Sequence, residues 1–170
     1  MEISVSVNDI SIGKVPEVSA VLARCWRAAY KGVVDDAYLA ALEDSHWEEF
    51  LANSIDDKTT ACIVAEDESQ VVGVSIFGKS ITEKYPDDGE IIALYVLPEF
   101  IGQKIGHLLF EQAQQSIRAQ GYRDCTICTF KQNIKAIRFY ESRGYAVVSE
   151  DETIAIGSQD VPYFIMRKSL

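Results

Sequence analysis

The stretch from Glu90 to Leu109 carries the clearest chemistry. Glu90 to Leu97 is the most apolar run of the chain, Pro98 ends it, Gly102 follows in a short loop, and Gly106 lies in the first turn of a helical pattern that begins near Lys104. A strand that turns into a helix through glycines lets backbone approach a ligand closely. The first N–H groups of such a helix have no acceptor of their own and lie at its positive dipole end, so they suit an anion, above all a phosphate. A tight turn packed against a sheet would use the same glycines. Cys125 and Cys128 form a C-x-x-C, but within a strand-like run, where positions three apart face opposite sides. Two buried strand cysteines are therefore expected rather than a metal or redox pair. His46 and His107, the two histidines, have no metal-site spacing. No serine nucleophile elbow or Walker A motif is present. The acidic pairs Asp35-Asp36 and Asp87-Asp88 are either solvated or a lure for a cationic amine.

Elements must hold that turn in place, and their periods are readable. The chain has 170 residues, 48% of them hydrophobic and 25% charged, which fits one globular domain over 1–170 with its own core. The net charge is −10, which disfavours a nucleic-acid partner held by bulk charge. The N-terminus lacks a signal-peptide pattern, no apolar run would span a membrane, and four dispersed cysteines suit a reducing compartment. A soluble cytoplasmic protein, with no membrane partner, is the expectation. Ile3 to Val7 alternates as a strand. Val15 to Tyr30 has the helical stripe Val18, Val21, Leu22, Cys25, Trp26, Ala29. Asp35 or Asp36 can cap a second helix and Ser45 a third bearing Trp47, Phe50 and Leu51. Thr60–Ala65 and Val71–Phe77 read as a hairpin. After the helix that starts near Lys104, Tyr122 to Phe130 is a strand, and Asn133 can cap a helix ending before Gly144. Tyr145 to Ile156 and Val161 to Arg167 complete the pattern as strands. Helices between strands in the second half imply crossovers and a mixed α/β sheet.

The run Asn133-Ile134-Lys135-Ala136-Ile137-Arg138-Phe139-Tyr140-Glu141-Ser142-Arg143-Gly144-Tyr145 completes a recognisable set. Leu94-Tyr95-Val96, Pro98, the glycine turn and this N-x-x-A-x-x-F-Y-E-x-x-G-Y segment together resemble the GNAT superfamily of N-acetyltransferases. Trp26 to Val34 also looks like the opening of many bacterial members. The resemblance implies a central, splayed, mostly antiparallel sheet of about seven strands flanked by helices. It implies acetyl-CoA as cosubstrate, no metal, and an acetyl group passed by direct attack to a primary amine, here of a small cationic molecule. A non-catalytic acyl-CoA-binding sensor or interaction module is the alternative. A homodimer through exposed strand edges is compatible with the sequence.

By the same resemblance Tyr140 is the general acid toward the departing thiolate, and Glu90 the base that takes a proton from the amine. The pyrophosphate falls to Gly102, Gln103, Lys104, Ile105, Gly106 and His107, and the pantetheine arm to the backbone of Leu94, Tyr95 and Val96. Asn133, Ala136 and Phe139 complete the cofactor set. Trp26 and Tyr30 are assigned to the acceptor, although aromatics at helical spacing, with Tyr38 and Trp47, equally suit a core. The loop departs from the family pattern: Ile101 and Lys104 stand where an Arg or Gln and a Gly are usual. Lys104 costs little if it is already helical and about 1 kcal/mol if it needs positive φ. The helical case is the expectation.

Overall fold

The computed structural model describes residues 5–170. The elements run β1 (Val5–Asp9), α1 (Val15–Ala29), α2 (Asp36–Ala41), α3 (Glu48–Asp57), β2 (Thr60–Asp67), β3 (Gln70–Lys79), β4 (Gly89–Val96), α4 (Ile105–Ala119), β5 (Asp124–Phe130), α5 (Ile134–Glu141), β6 (Ala146–Ile156) and β7 (Gln159–Ser169). This is the order the sequence predicts. The expected first strand is seen as Val5–Asp9, and its opening residues Ile3 and Ser4 lie outside the described residues. Among the described residues no helix is long and apolar enough to cross a membrane.

Local rules account for most boundaries. Pro16 occupies the first turn of α1, where its missing N–H costs no helical bond. Asp35 caps α2 by accepting from the Ala37 N–H at 3.1 Å. Asn133 caps α5 by accepting from the Ala136 N–H at 3.3 Å. The expected Ser45 cap fails. Helix α3 starts after Trp47, whose N–H instead reaches the Ser19 hydroxyl at 3.0 Å. Phe50, expected on the apolar face of α3, is 39% exposed, and Leu51 alone of that pair is fully buried.

The seven strands form one sheet in the order β1-β2-β3-β4-β5-β7-β6. Every neighbouring pair is antiparallel except β4 and β5. These two run parallel and pair only at Gly89↔Cys125 and Glu90↔Thr126. Beyond Glu90 they diverge. One face of the sheet packs on α4 and α5 through Phe77, Ile91, Leu109, Phe110, Ile117 and Met166. The other packs on α1 and α3 through Val18, Leu22, Leu51, Val74, Ile76 and Leu97. Helix α4 lies very close to β3 at Gly73. A Cβ there would come within 2.9 Å of Leu109 Cδ1 and 3.2 Å of the Tyr95 carbonyl oxygen, so glycine is what lets the helix seat.

Candidate active site

The divergence of β4 and β5 opens the centre of the sheet. From Ile92 to Val96, β4 is only half-buried, although it is the fourth of seven strands. A central strand is normally covered, and these residues are not because β5 leaves their side. The β4 backbone thus keeps an unpaired edge. An irregularity sharpens it: Phe77 opposes Ile91 while Ile76 opposes Ala93, so Ile92 is an extra residue in β4. Such a bulge bends the strand and re-aims the residues beyond it.

Past Leu97, a short turn leads into α4. None of the backbone N–H groups from Gly102 to His107 has an acceptor among the described residues, and the first helical bond runs from the Leu108 N–H to the Lys104 carbonyl at 3.1 Å. Gly102 has φ +89°, which glycine alone adopts freely. Lys104 is also left-handed, at φ 64° and ψ 8°, as the residue capping α4. The expectation that it is already helical is therefore wrong. The turn must reverse before the helix begins, and Lys104 makes that reversal at a cost of about 1 kcal/mol. Around the turn Ile105 is buried, whereas Gln103, Lys104 and His107 are exposed and Gly106 is half-buried. His107 Nδ1 lies 2.7 Å from an Arg143 amino group, and that guanidinium stacks on Phe139 at 3.5 Å. Arg143 adds a cation beside the first turn of α4 that the motif reading passed over.

Helix α5 packs on the same face of the sheet as α4. Asn133, Ala136 and Phe139 are half-buried, and Tyr140 is buried beneath them. Phe110, Phe139 and Tyr145 pack around the Tyr140 ring. Its hydroxyl takes no hydrogen bond from the described residues, and it is not sealed from open space as Arg143 Nε is. Burial pushes the Tyr140 phenol well above the usual tyrosine range, and the neighbouring Tyr30 adds to this. It stays a proton donor throughout neutral pH.

On the opposite face a cavity of about 470 Å³ opens between the end of α1, the β3–β4 loop, β5 and the β6–β7 hairpin. Trp26 and Tyr30 line it, packed edge to face at 4.8 Å, and Phe130 packs against both. The Tyr30 and Tyr95 hydroxyls share a hydrogen bond of 2.7 Å. Burial raises both phenols, and their rings stand edge to face at 6.3 Å. Trp47 touches Trp26 but belongs to the core around α1 and α3. Tyr38 packs under the last hairpin.

Glu90 also lines this cavity, and is 3% exposed. Its Oε2 accepts from the Ser80 hydroxyl at 2.9 Å, the Ile81 N–H at 2.8 Å and the Thr82 N–H at 3.1 Å. Its Oε1 accepts only the Thr82 hydroxyl, at 3.2 Å. The carboxylate therefore ties the β3–β4 loop to the sheet and leaves Oε1 able to accept one bond more. Asp88, in contrast, is engaged by Arg167 at 2.7 and 2.9 Å, and Asp35 by Ser158 at 2.8 Å. The carboxylates at the cavity besides Glu90 are Glu83 and Glu152, which the sequence reading missed. Cys125 is buried, but Cys128 is exposed and lines the cavity, where its sulfur meets the Thr82 hydroxyl at 3.3 Å. The expectation of two buried cysteines fails at Cys128 because β5 has left β4 by that point.

A sheet parted in the middle, with free N–H groups at one end of the gap and a tyrosine along it, is the architecture of an acyl-group transferase. The chain belongs to the acetyltransferase (GNAT) family, whose model matches residues 22–145, and it is an N-acetyltransferase. It is 25% identical over 153 residues to a spermidine N(1)-acetyltransferase of Thermoplasma acidophilum, covering 87% of this chain and 92% of that one. It is 26% identical over 148 residues to the uncharacterized N-acetyltransferase YuaI of Bacillus subtilis, covering 86% and 83%. In fold it is similar to the PaiA N-acetyltransferase of T. acidophilum solved with coenzyme A. That match has a TM-score of 0.78 at 21% identity over 98% of this chain and 99% of that one. It is also similar to yncA of Salmonella typhimurium, solved with its cofactor acetyl-CoA, with a TM-score of 0.76 at 15% identity over 98% and 94%.

Proposed function

We propose that the chain moves the acetyl group of acetyl-CoA to the nitrogen of a small-molecule primary amine, with both substrates bound at once. One observation carries the reading. Strand β4 loses its β5 partner beyond Glu90, its residues Glu90, Ile92 and Tyr95 line the cavity, and it leads directly into the turn whose N–H groups from Gly102 to His107 are free. Acetyl-CoA, when bound, supplies an activated acetyl thioester. The N–H groups at the head of α4 donate to pyrophosphate oxygens, with the helix dipole in their favour. The backbone of Leu94, Tyr95 and Val96 takes the pantetheine amides as an added strand and polarises the acyl oxygen. Asn133, Ala136 and Phe139 wall the same channel.

Two side chains handle protons. Tyr140 donates to the leaving sulfur, a role its free hydroxyl and raised phenol suit. Glu90 Oε1, with acceptor capacity to spare, takes the proton the ammonium must lose, directly or through a water. Trp26 and Tyr30 flank the acceptor. The spermidine-acetylating relative supports an amine acceptor.

Thiol release from acetyl-CoA over a panel of primary amines tests this, alongside thermal unfolding with acetyl-CoA. A ligand at 100 times its Kd stabilises by about 2.7 kcal/mol, roughly 5–10 °C here. Stabilisation together with amine-dependent thiol release is the expected result. Stabilisation without turnover on any amine would make the chain an acyl-CoA-binding module instead.

A further inference from the structure

We infer that the acceptor is a monoamine whose nitrogen is carried on an apolar, aromatic body, rather than a polyamine. The inference rests on the transferase reading above and narrows it. Its ground is the charge and surface of the 470 Å³ cavity.

The carboxylates there are mostly engaged. Glu90 is filled by donors of its own chain on Oε2 and keeps one free acceptor position on Oε1. Glu152 is bonded by Lys84 and by the Ser149 hydroxyl. Glu83, exposed at the mouth, is the remaining one. One arriving ammonium is met by Glu90. A second positive charge further along the same molecule meets only the solvent-exposed Glu83, with Lys84 beside it, where pairing contributes little, and a third meets apolar walls. An unpaired ammonium held against such walls is strongly disfavoured.

The walls themselves ask for an apolar body. Trp26 and Phe130 form an edge-to-face floor at 6.1 Å, and Ile92 and Tyr163 stand beside it. Ile81 and Ile154 are 63% and 47% exposed at the mouth. Large aliphatic side chains facing water on two different elements around one cavity mark a surface that a ligand covers. The same walls assist the chemistry. Desolvation lowers the pKa of a buried amine, so an apolar pocket delivers the neutral nucleophile that attack requires. A monoamine gains from this. A polyamine must still carry its other charges.

The test compares kcat/KM for 2-phenylethylamine, butylamine and spermidine at saturating acetyl-CoA, with the parent and with Ile154→Glu. A hydrophobic pocket discriminates by on the order of tenfold or more for each methylene group it recognises. Phenylethylamine is expected to exceed both butylamine and spermidine by at least that factor. Ile154→Glu adds a carboxylate at an exposed position and is expected to shift the ratio toward spermidine. A second readout does not need turnover. Cys128 is the exposed cysteine among otherwise buried ones and lines the cavity, so phenylethylamine should slow its iodoacetamide labelling, read by mass spectrometry, and spermidine should not. Spermidine turned over as well as or better than phenylethylamine, with Cys128 protected by spermidine, overturns the inference and leaves the transferase reading standing. Acetyl-CoA binding with no thiol release from any of these amines, and no protection of Cys128, overturns both.

Discussion

Tyr140→Phe separates chemistry from architecture unusually cleanly, because the hydroxyl it removes makes no hydrogen bond within the described protein. The ring contacts with Phe110, Phe139 and Tyr145 survive the substitution. The folding cost is therefore within about 0.5 kcal/mol, a Tm change of no more than about 2 °C for a chain of this size. General-acid assistance typically contributes about 10²–10⁴-fold, which corresponds to roughly 3–5 kcal/mol of barrier. Turnover should thus fall at least a hundredfold while acetyl-CoA still raises the Tm as in the parent. Tyr145→Phe is the matched control. It deletes a 2.9 Å bond to Gln114 with both partners buried, at a cost of about 1–3 kcal/mol, or roughly 3–9 °C. It should lower Tm and spare kcat. The pH profile adds a signature. Burial raises the Tyr140 phenol above its ordinary value, so the parent rate should show no alkaline decline below about pH 10. Stopped thiol-release assays between pH 6 and 9.5 measure all of this. A Tyr140→Phe rate within a few-fold of the parent across that range, at unchanged Tm, would refute the acid role.

Glu90→Gln keeps the size of the side chain and leaves an oxygen for the three donors now on Oε2. Its Tm should fall by only a few degrees, while its rate drops most at pH values below the pKa of the amine. Glu90→Ala strands those donors and should unfold far earlier. A rate profile for Glu90→Gln that matches the parent removes the base assignment. Lys104→Gly relieves the left-handed cap. After the greater unfolded-state freedom of glycine, about 0.4–1 kcal/mol, is subtracted from the left-handed cost of about 1 kcal/mol, the net stabilisation is about 0–0.6 kcal/mol, a Tm rise of no more than about 2 °C; a fall of several degrees contradicts the strain argument. Tyr30, Tyr95, Tyr140 and Tyr145 all have phenols raised first by burial. A group whose pKa is higher folded than unfolded stabilises fully below its unfolded value, and that stability is lost as pH rises beyond it. Stability should therefore decline above about pH 10, with these phenolates appearing by ultraviolet absorbance only as the chain unfolds; their ionisation at pH 10 in the folded protein would contradict the packing around the fork.

The elements were legible where one residue sets a boundary. Asp35 and Asn133 cap by their own side chains, and Gly121 and Gly144 end their helices with positive φ. Glu68 and Ser69, both at positive φ, close the β2–β3 hairpin inside the polar run that the pattern marks as a turn. The segments of the family motif were legible too, because glycine turn, strand and α5 lie within 56 contiguous positions, Glu90 to Tyr145. What was hidden depends on distance in sequence. Glu90 reads as a strand end beside two aspartates, and its burial comes from bonds to Ser80, Ile81 and Thr82 that exist only once the loop folds back. Glu83 and Glu152 reach the cavity from a loop and from a strand whose alternation reads the same in either orientation. Cys128 is exposed because two strands part, an event that no local period encodes.

The altered loop is the place where motif and physics give different answers. By pattern, Ile101 and Lys104 subtract two signature residues from the anion site. By structure, the donors are backbone N–H groups, which every residue except proline supplies. What the site requires of Lys104 is a conformation, and it adopts φ 64°. That conformation is imposed from below. Ile105, 1% exposed, and Leu109, fully buried, lock α4 over Gly73, so the helix can begin at only one point along the turn. The left-handed penalty of about 1 kcal/mol is small against the burial of those two side chains, each about 1.5–3 kcal/mol. The packing therefore wins, and the turn keeps its free N–H groups whether residue 104 is glycine or lysine. On the proposed reading the lysine adds a positive charge beside a bound anion, so the departure from pattern exchanges a little fold stability for electrostatic attraction at the turn.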